Sequence, residues 1–248
     1  MAKVAIITGA SSGIGRVSAV ALSKKGWSVV LFARRPEKLQ ETKGLCEDPE
    51  QCLIVQGDVS KEEDVLKLFQ ETLSRFGRLD LLFNNAGSGA PPLPIEELPL
   101  ALFQHVVNVN LVGTFLCTRE AVKIFKSQSP QGGRIINNGS ISAHTPRPHS
   151  APYTATKHAV LGFTKSTALD GRTFNITCTQ IDIGNAHTDM AARLSEGALQ
   201  PDGRVVPEQT FDVQHVGDAV AYIAGLPHEV TVLTFNIMAT AMPFVGRG

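Results

Sequence analysis

The sequence lacks an excess of charge of either sign. Lysine plus arginine and aspartate plus glutamate each number 23 among 248 residues, so the net charge is zero. Proteins that bind nucleic acid or anionic membranes by bulk electrostatics carry a basic excess or patch, and we expect neither partner. With 43% hydrophobic and 19% charged residues, the composition is that of a soluble globular protein.

Long apolar runs are missing as well. Runs such as VVLFA are far too short to span a bilayer. The N-terminal MAKVAIITGA carries a single lysine and reaches Gly9 before a signal-peptide core could form. We therefore expect a cytoplasmic protein with no membrane partner.

The cysteines do not form a pattern typical of metal or disulfide sites. Cys46, Cys52, Cys117 and Cys178 are scattered, with no C-x-x-C pair and no Cys/His cluster at zinc spacing. Disulfides are rare in cytosolic proteins. We expect four reduced thiols, with Cys117 and Cys178 in the core, and no metal site.

Apolar segments of strand length alternate with segments of helical periodicity along the chain. Seven segments are predicted strands: KVAIIT, SVVLFA, CLIVQGD, LDLLFNNA, GRIINNGS, NITCTQID and TVLTFNIM. The helices between them are predicted at residues 14–26, 36–47, from a Ser60/Glu63 capping box to Gly77, 98–128, 153–170 and 213–225.

The strands are continuous apolar runs, which is typical of a parallel sheet covered on both faces. The predicted fold is a single α/β domain over residues 1–248, a doubly wound Rossmann-type parallel sheet of about seven strands with helices on both faces. A long irregular segment, about residues 184–212, is the expected substrate loop. Ligands of such sheets bind beyond the carboxyl ends of the strands.

The first strand ends in TGASSGIG, with glycines at 9, 13 and 15. A dinucleotide pyrophosphate requires a tight turn, close backbone approach and a helix N-terminus aimed at it. Glycine-rich turns also occur as plain tight turns. Here a strand precedes the turn and a helix follows it, which favours cofactor binding.

Tyr153 and Lys157 are four residues apart on one predicted helix, so their side chains share a face. Ser140 ends the fifth strand. Each of these features also has a purely structural interpretation, because a tyrosine and a lysine at this spacing arise by chance and a serine after a strand is commonly a cap.

The glycine spacing together with Tyr153-x-x-x-Lys157 resembles the short-chain dehydrogenase/reductase family. The resemblance spans roughly residues 3–240 and includes NNAG at 84–87, NVNLVG around Asn110, Ser140, and Thr188 after the sixth strand. It implies a bound NAD or NADP and a catalytic tetrad of Asn110, Ser140, Tyr153 and Lys157. The implied cofactor-binding residues are Gly9, Ser11, Ser12, Gly13, Ile14, Gly15, Arg34, Arg35, Asp58, Asn85, Ala86, Gly87, Tyr153, Lys157, Ile183 and Thr188.

The resemblance gives each member of the tetrad a task. A nearby ammonium favours the phenolate, so Tyr153 is able to exchange a proton with a substrate oxygen. Ser140 would hold that oxygen, and Asn110 would fix a water leading from Lys157 to solvent. Asp58 would touch the adenine, Asn85 would lie near the ribose, and Thr188 and the backbone at Ile183 would hold the carboxamide.

The residues after the second strand predict NADP as the cofactor. NAD enzymes of this architecture usually place a carboxylate about 20 residues past the glycine turn. Ala33 stands there, followed by Arg34 and Arg35, and Glu37 is the first acid. Arginine suits a phosphate; we expect Arg34 to make the main contact and Arg35 to support it.

Other polar residues near the site are less informative. His144, Arg147 and His149 could bind a substrate carboxylate, but a solvated loop or a subunit contact is favoured. We assign no chemical role to Asp182 or Asp189.

The sequence departs from the family pattern in two places. Ile183-Gly184 stands where the family commonly has Pro-Gly, and the C-terminal end is loosely closest to the branch acting on small 3-hydroxy acids such as serine, which argues against a role in fatty-acid synthesis.

The expected function is interconversion of a small-molecule alcohol and a carbonyl, with a non-catalytic NADP-binding scaffold or redox sensor as the alternative. A sugar-nucleotide epimerase needs an added substrate domain, and a hydrolase would need a G-x-S-x-G elbow around Ser140, whose neighbours read NGSIS. The resemblance also implies a homotetramer through the helices containing residues 110–126 and 153–170.

Overall fold

The computed structural model describes residues 2–188 and 197–245. The strands are β1 (Val4–Thr8), β2 (Ser28–Ala33), β3 (Cys52–Gln56), β4 (Leu81–Asn84), β5 (Gly133–Asn138), β6 (Ile176–Gly184), β7 (Ala198–Leu199), β8 (Val205–Val206) and β9 (Thr234–Met238). The helices are α1 (Gly13–Lys24), α2 (Pro36–Gly44), α3 (Glu62–Phe76), α4 (Leu100–Val107), α5 (Gly113–Ser127), α6 (Ala151–Gly171) and α7 (Gln214–Gly225).

Seven of these strands form one parallel sheet in the order β3–β2–β1–β4–β5–β6–β9. Strands β7 and β8 pair separately as a short antiparallel hairpin. The strand order reverses between β1 and β4, and in open α/β sheets that switch point is where ligands bind. The predicted fold class is confirmed.

Both faces of the sheet are buried, which explains the continuous apolar runs. Successive residues of β1 point to opposite sides: Ile7 joins the core that contains side chains of α1, α2 and α7, whereas Ile6 joins the core that contains side chains of α3 and α5. All five residues of β1 are buried. Burial of one such side chain contributes about 1.5–3 kcal/mol.

Helices α1 and α7 pack against each other although they lie at opposite ends of the described chain. Ala19 and Leu22 of α1 share a core with Val216 and Val220 of α7. The helices approach closely at Gly217, because glycine has no side chain there. A Cβ at this position would come within 2.9 Å of the Val17 carbonyl oxygen.

The long helix predicted at 98–128 consists of α4, one π-helical turn at Asn108–Val112, and α5. Among the described residues, Leu100–Ser127 is the one helical segment long and apolar enough to cross a membrane. Its side chains Leu116, Ala121 and Phe125 are buried in the core beside the sheet. A helix that packs in a globular core can also be long and apolar enough to meet this criterion.

The predicted capping box at Ser60 is wrong. The N-cap of α3 is Lys61, and the Ser60 hydroxyl donates instead to Asp58 Oδ1 at 2.8 Å. The Asp64 carboxylate reaches back to accept from the Asp58 N–H at 2.8 Å, so an acid of the first turn ties down the loop before the helix.

The thiol prediction is confirmed, because all four cysteines are free. Cys117 and Cys178 are fully buried, and Cys46 and Cys52 are also buried. Burial raises the pKa of Cys117 and of Cys178 to about 12. Within 2–188 and 197–245, no cluster of three or more His, Cys, Asp or Glu side chains could hold a metal ion.

Candidate active site

A cavity of about 620 Å³ lies at the carboxyl ends of β1, β4, β5 and β6. Fifteen of the sixteen predicted cofactor-binding residues line it: Gly9, Ser11, Ser12, Gly13, Ile14, Arg34, Arg35, Asp58, Asn85, Ala86, Gly87, Tyr153, Lys157, Ile183 and Thr188. Gly15 does not line the cavity, and neither does Asn110, whereas Ser140 does.

The glycine turn is built for close approach of a ligand. Gly9 and Gly13 have φ of +66° and +50°, a region that glycine enters without steric cost. Gly15 serves packing instead, because a Cβ there would lie 2.3 Å from the Gly9 carbonyl oxygen. The side chain of Ser12, the N-cap of α1, makes no capping bond, and the first turn of α1 has no acidic residue. The helix N-terminus is thus electrostatically suited to an anion.

Asn85 joins three segments around the cavity. Its amide donates to the Thr8 carbonyl at 2.9 Å and the Gly9 carbonyl at 3.3 Å, and its Oδ1 accepts from Asn138 at 2.9 Å. The Thr8 hydroxyl accepts from the backbone N–H of both Asn85 and Ala86. The side chain predicted to line the ribose therefore also holds the glycine turn, the β4 loop and β5 in register.

Tyr153 and Lys157 lie one turn apart in the first part of α6. Lys157 Nζ donates to the Asn138 carbonyl at 2.6 Å and sits 5.3 Å from the centre of the Tyr153 ring. Lys157 is buried, whereas Tyr153 is half-buried. An ammonium has three donors, so the bond to Asn138 leaves two for groups in the cavity.

Ser140 is also a cap. Its oxygen accepts from the Ser142 N–H at 3.1 Å and begins the 3₁₀ turn Ile141–Ala143. The structural interpretation of this serine is therefore correct, and it coexists with a place on the cavity wall.

The structure does not bring the Asn110 side chain to the cavity wall. It is buried in the π-helical turn, where its amide bonds to both backbone groups of Ser88 at 2.8 and 3.0 Å and donates to Thr156 Oγ1 at 3.1 Å. π-Helical turns are frequent at functional sites. Thr156 lies between Tyr153 and Lys157, so Asn110 links the β4 loop to α6; its predicted task of fixing a water stays a prediction.

The two arginines after β2 have different surroundings. Arg35 donates to the hydroxyls of Ser11 at 3.1 Å and Ser12 at 3.3 Å, at the glycine turn. Arg34 lies near Asp58. Burial raises the pKa of Asp58, but hydrogen bonds from Ser60 and the charge of Arg34 oppose this and shift it below its ordinary value.

The segment between Ser140 and Tyr153 is not simply solvated. His144 Nε2 lies 2.8 Å from Asp182 Oδ2. Arg147 donates to Asn185 Oδ1 at 2.9 Å and forms an ion pair with Glu208. Arg147 is thus half-buried and bonded within the chain rather than simply solvated, whereas His144 combines its contact to Asp182 with an exposed ring. The subunit contact stays a prediction.

Sequence reasoning missed Asp182 and Glu208 as part of the site. One signal was available: Asp182 is a carboxylate within an apolar strand, and a buried charge requires partners. Asp189 lies outside the described residues, as does part of the predicted substrate loop.

Gly184 has a packing reason for being glycine. A Cβ there would lie 2.6 Å from Met242 Sδ and 2.9 Å from Met238 Cβ. The next residue, Asn185, takes φ of +56°, so the chain turns sharply after β6 without the proline the family commonly has. Thr188 lies beside Gly13, whose Cβ would contact Thr188 Cγ2 at 3.3 Å.

Residues 3–199 match the family model described as short chain dehydrogenase. The chain belongs to the short-chain dehydrogenase family. It is 36% identical over 200 residues to the 3beta-hydroxysteroid dehydrogenase of Mediterraneibacter gnavus, covering 78% of this chain and 69% of that protein.

Solved structures agree with this assignment. The 3-ketoacyl-(acyl-carrier-protein) reductase from Brucella melitensis, complexed with NADH, superimposes with a TM-score of 0.84 at 30% identity, covering 95% of this chain and 96% of that chain. Actinorhodin polyketide ketoreductase with NADPH gives a TM-score of 0.84 at 31% identity and 96% coverage of both chains. The protein is an oxidoreductase of the family, acting on CH–OH groups with a nicotinamide cofactor.

Proposed function

We propose that this protein is an NADP-dependent reductase or dehydrogenase of a small molecule, with Tyr153 as general acid and base. One observation carries the proposal: Ser140, Tyr153 and Lys157 line the same cavity as the glycine turn and the arginines that follow β2. A scaffold without turnover would not need a proton donor, its cationic neighbour and a hydrogen-bonding hydroxyl on one wall.

The protein's own groups handle the substrate oxygen. In reduction, Tyr153 gives its phenolic proton to the carbonyl oxygen, and in oxidation it takes the proton from the alcohol. The Lys157 ammonium, 5.3 Å from the centre of the ring, stabilises the negative charge that develops as the proton leaves. The Ser140 hydroxyl donates to the same oxygen as negative charge develops there. Hydride transfer is the chemistry that a bound nicotinamide supplies.

The cavity fits a dinucleotide on steric and electrostatic grounds. Gly9, Ser11, Ser12 and Gly13 would hold the pyrophosphate at the N-terminus of α1. Asp58 would lie at the adenine, and Thr188 and the Ile183 backbone at the carboxamide. These assignments rest on the cavity lining and on the family likeness.

The choice of NADP rests on the charges beyond β2. The similar structures include one complex with NADH and one with NADPH, so the likeness alone does not choose. In this chain Ala33 replaces the usual carboxylate, and the Arg35 guanidinium is bonded to Ser11 and Ser12. We therefore assign the main contact with the 2′-phosphate to Arg35 and the supporting contact, toward the adenine, to Arg34, which reverses the order expected from the sequence.

Three variants test this choice: Arg35→Ala, Arg34→Ala and Ala33→Asp with Arg35→Ala. A charge-assisted hydrogen bond contributes about 1.5–3 kcal/mol, so Arg35→Ala should lower kcat/KM for NADPH about 10- to 150-fold. The loss in kcat/KM should be smaller with NADH, which lacks the 2′-phosphate, and Arg34→Ala should cost less than Arg35→Ala with NADPH. The double variant should prefer NADH.

The matched control is Arg75→Ala, an exposed arginine away from the cavity, which should change neither value. Equal use of NADH and NADPH by the wild type would contradict the assignment.

The substrate class is a small-molecule ketone or secondary alcohol. A panel followed by NADPH absorbance should contain a 3-oxosteroid, a β-ketoacyl thioester, a polyketide-like cyclic ketone and a small 3-hydroxy acid, in both directions. Turnover of one member above background supports the function, whereas binding of NADPH without turnover of any member supports the scaffold alternative. A cytoplasmic location and a homotetrameric state complete the proposal.

A further inference from the structure

A buried carboxylate lies directly behind the active-site serine. Asp182, in β6, is 2% exposed. Its Oδ1 accepts from the backbone N–H of Ser140 at 3.0 Å and from Gln180 Nε2 at 2.7 Å. Its Oδ2 lies 2.8 Å from His144 Nε2. Both carboxylate oxygens are thus used, and two of the three contacts are with residues of the segment 140–144.

The Asp182–His144–Ser140 set is not the triad of a hydrolase. In such a triad the histidine bonds to the serine hydroxyl. Here the carboxylate receives the Ser140 backbone N–H, and the Ser140 Oγ accepts from the Ser142 N–H. The set therefore fixes where the serine lies and does not activate its oxygen as a nucleophile.

Packing around Gly139 shows how tightly this contact is made. A Cβ on Gly139 would come within 2.3 Å of Asp182 Oδ1 and 2.6 Å of Gln180 Cγ. The turn that presents Ser140 rests directly on the carboxylate, so removing the carboxylate leaves the turn without its support.

We propose that Asp182, held by His144, is a positioning residue that sets the place of the Ser140 hydroxyl at the reacting oxygen. The proposal rests on the proposed function, in which Ser140 binds that oxygen. An acceptor at Asp182 Oδ1 fixes the Ser140 peptide, and the fixed peptide in turn fixes the hydroxyl.

His144 has a second part in this arrangement. A buried carboxylate without partners is costly, and its negative charge would oppose the negative charge that develops on the substrate oxygen. As a carboxylate, Asp182 only accepts, so His144 donates from Nε2. The donor lowers the cost of burial and reduces the field of the carboxylate at the reaction centre.

The test is a double-mutant cycle. Asp182→Ala, Asp182→Asn and His144→Ala are each made in the wild type and in Ser140→Ala, with kcat, KM and the NADPH dissociation constant measured for each. A displacement of about 1 Å at a reacting group can cost about 100-fold, so Asp182→Ala should lower kcat about 10- to 100-fold with the NADPH dissociation constant unchanged. In the Ser140→Ala background the same change should cost less than about 3-fold, because the group it acts through is gone.

Asp182→Asn should keep kcat within about 3-fold of the wild type. The asparagine Oδ1 can still accept from the Ser140 N–H and from Gln180, and its amide can donate to a neutral His144. His144→Ala, at a side chain that is 39% exposed, should fold and show a smaller loss that also disappears with Ser140→Ala. Equal losses from Asp182→Ala or His144→Ala in both backgrounds would mean a merely structural role and overturn the proposal. Asp170→Ala, at an exposed aspartate near the end of α6, is the control.

A second readout does not depend on any substrate. Hydrogen exchange across residues 139–144 should be faster in His144→Ala and Asp182→Ala than in the wild type, and unchanged in Asp182→Asn. Unchanged exchange in the alanine variants would overturn the positioning role even in an active enzyme. Faster exchange in a protein that reduces no member of the carbonyl panel would leave the support of the Ser140 turn standing and reject the proposed function instead.

Discussion

Ser140 shows how one residue serves structure and chemistry together. Its oxygen accepts the Ser142 N–H, so the hydroxyl proton remains to be donated. A hydroxyl has one donor and two acceptor positions, and the cap uses one acceptor. The cap thus orients the hydroxyl as a donor, which is what stabilisation of negative charge on a substrate oxygen requires.

Removing the phenolic oxygen of Tyr153 distinguishes a role in proton transfer from a role in NADPH binding. Tyr153→Phe should lower kcat about 100-fold or more, since general acid catalysis typically contributes 10²–10⁴-fold. The ring, 5.3 Å from Lys157 Nζ, remains, so the NADPH dissociation constant should stay within about 3-fold of the wild type. The protein has two tyrosines, and Tyr222→Phe, at an exposed site on α7, is the matched control.

A Tyr153→Phe variant that retained more than about a tenth of the wild-type kcat, well short of that loss, would remove Tyr153 from the mechanism. Steady-state kinetics and NADPH fluorescence titration give the two values.

Residues with a local signature were predictable at the single-residue scale. The glycines, Tyr153 and Lys157 occur at spacings that the sequence displays directly, and the structure places all except Gly15 at the cavity. Asp182 was not predictable in its contact with Ser140, since these residues are 42 positions apart. Which of Arg34 and Arg35 makes the main contact with the 2′-phosphate depends on the direction of their side chains after β2. The spacing of residues in the sequence does not predict that direction.

At the scale of elements, hydrophobic periodicity predicted all seven strands of the sheet, but it did not give the correct end of every strand. Strand β3 ends at Gln56, before the predicted Gly57-Asp58, and β9 begins at Thr234 rather than 231. The π-helical turn at 108–112 was missed because it continues the helical segment formed by α4 and α5 without a break, and the spacing of residues does not distinguish it from an α-helix. The Ser60 capping box failed because Asp58 competes for the serine hydroxyl.

Two loops that flank the cavity are joined through Glu208. Its carboxylate is 1% exposed and accepts from Arg147 on one side and from Asn185 and Gln200, at 2.8 and 3.0 Å, on the other. Burial raises the pKa of Glu208, but these hydrogen bonds outweigh it and hold the pKa below its ordinary value. The contact therefore stabilises the fold above the unfolded-state pKa and loses that effect as the pH falls through the lowered folded-state value.

Glu208→Gln should lower the free energy of unfolding by about 1.5–3 kcal/mol near neutral pH, because the half-buried Arg147 loses a charge-assisted hydrogen bond to its anion. The difference from the wild type should begin to shrink near pH 4.3, the approximate pKa of a free glutamate, and vanish at lower pH. Urea unfolding at several pH values measures it. Asp202→Asn, at an exposed pair with Arg204, should show no measurable change, and a Glu208→Gln difference that grew in acid would contradict the assigned role.

At the scale of the whole molecule, apolar side chains of α5 and α6 are exposed among the residues that the structure describes. On α5 and α6, Phe115 is 45% exposed and contacts Phe163 edge to face with ring centres 6.3 Å apart. Leu169, further along α6, is 61% exposed. This surface lies on the two helices for which the family likeness predicts pairing across a two-fold axis.

The wild type should be a tetramer in solution at micromolar concentration. Phe115→Asp should lower the mass, because a charge in the centre of an apolar contact is left unpaired. Leu45→Asp, at a 55% exposed leucine after α2, should leave the mass unchanged. Light scattering coupled to size exclusion decides it, and a wild-type monomer would reject the tetramer.

The packing of α1 on α7 has a consequence for synthesis on the ribosome. The core around Ala19 and Leu22 is completed by Val216 and Val220, and the chain between the helices must be made first. At about 5–20 residues per second, the roughly 190 intervening residues take roughly 10–40 s to translate. Throughout that interval the part of the α1 face that α7 covers is exposed on the nascent chain, where a chaperone that recognises apolar faces can bind it.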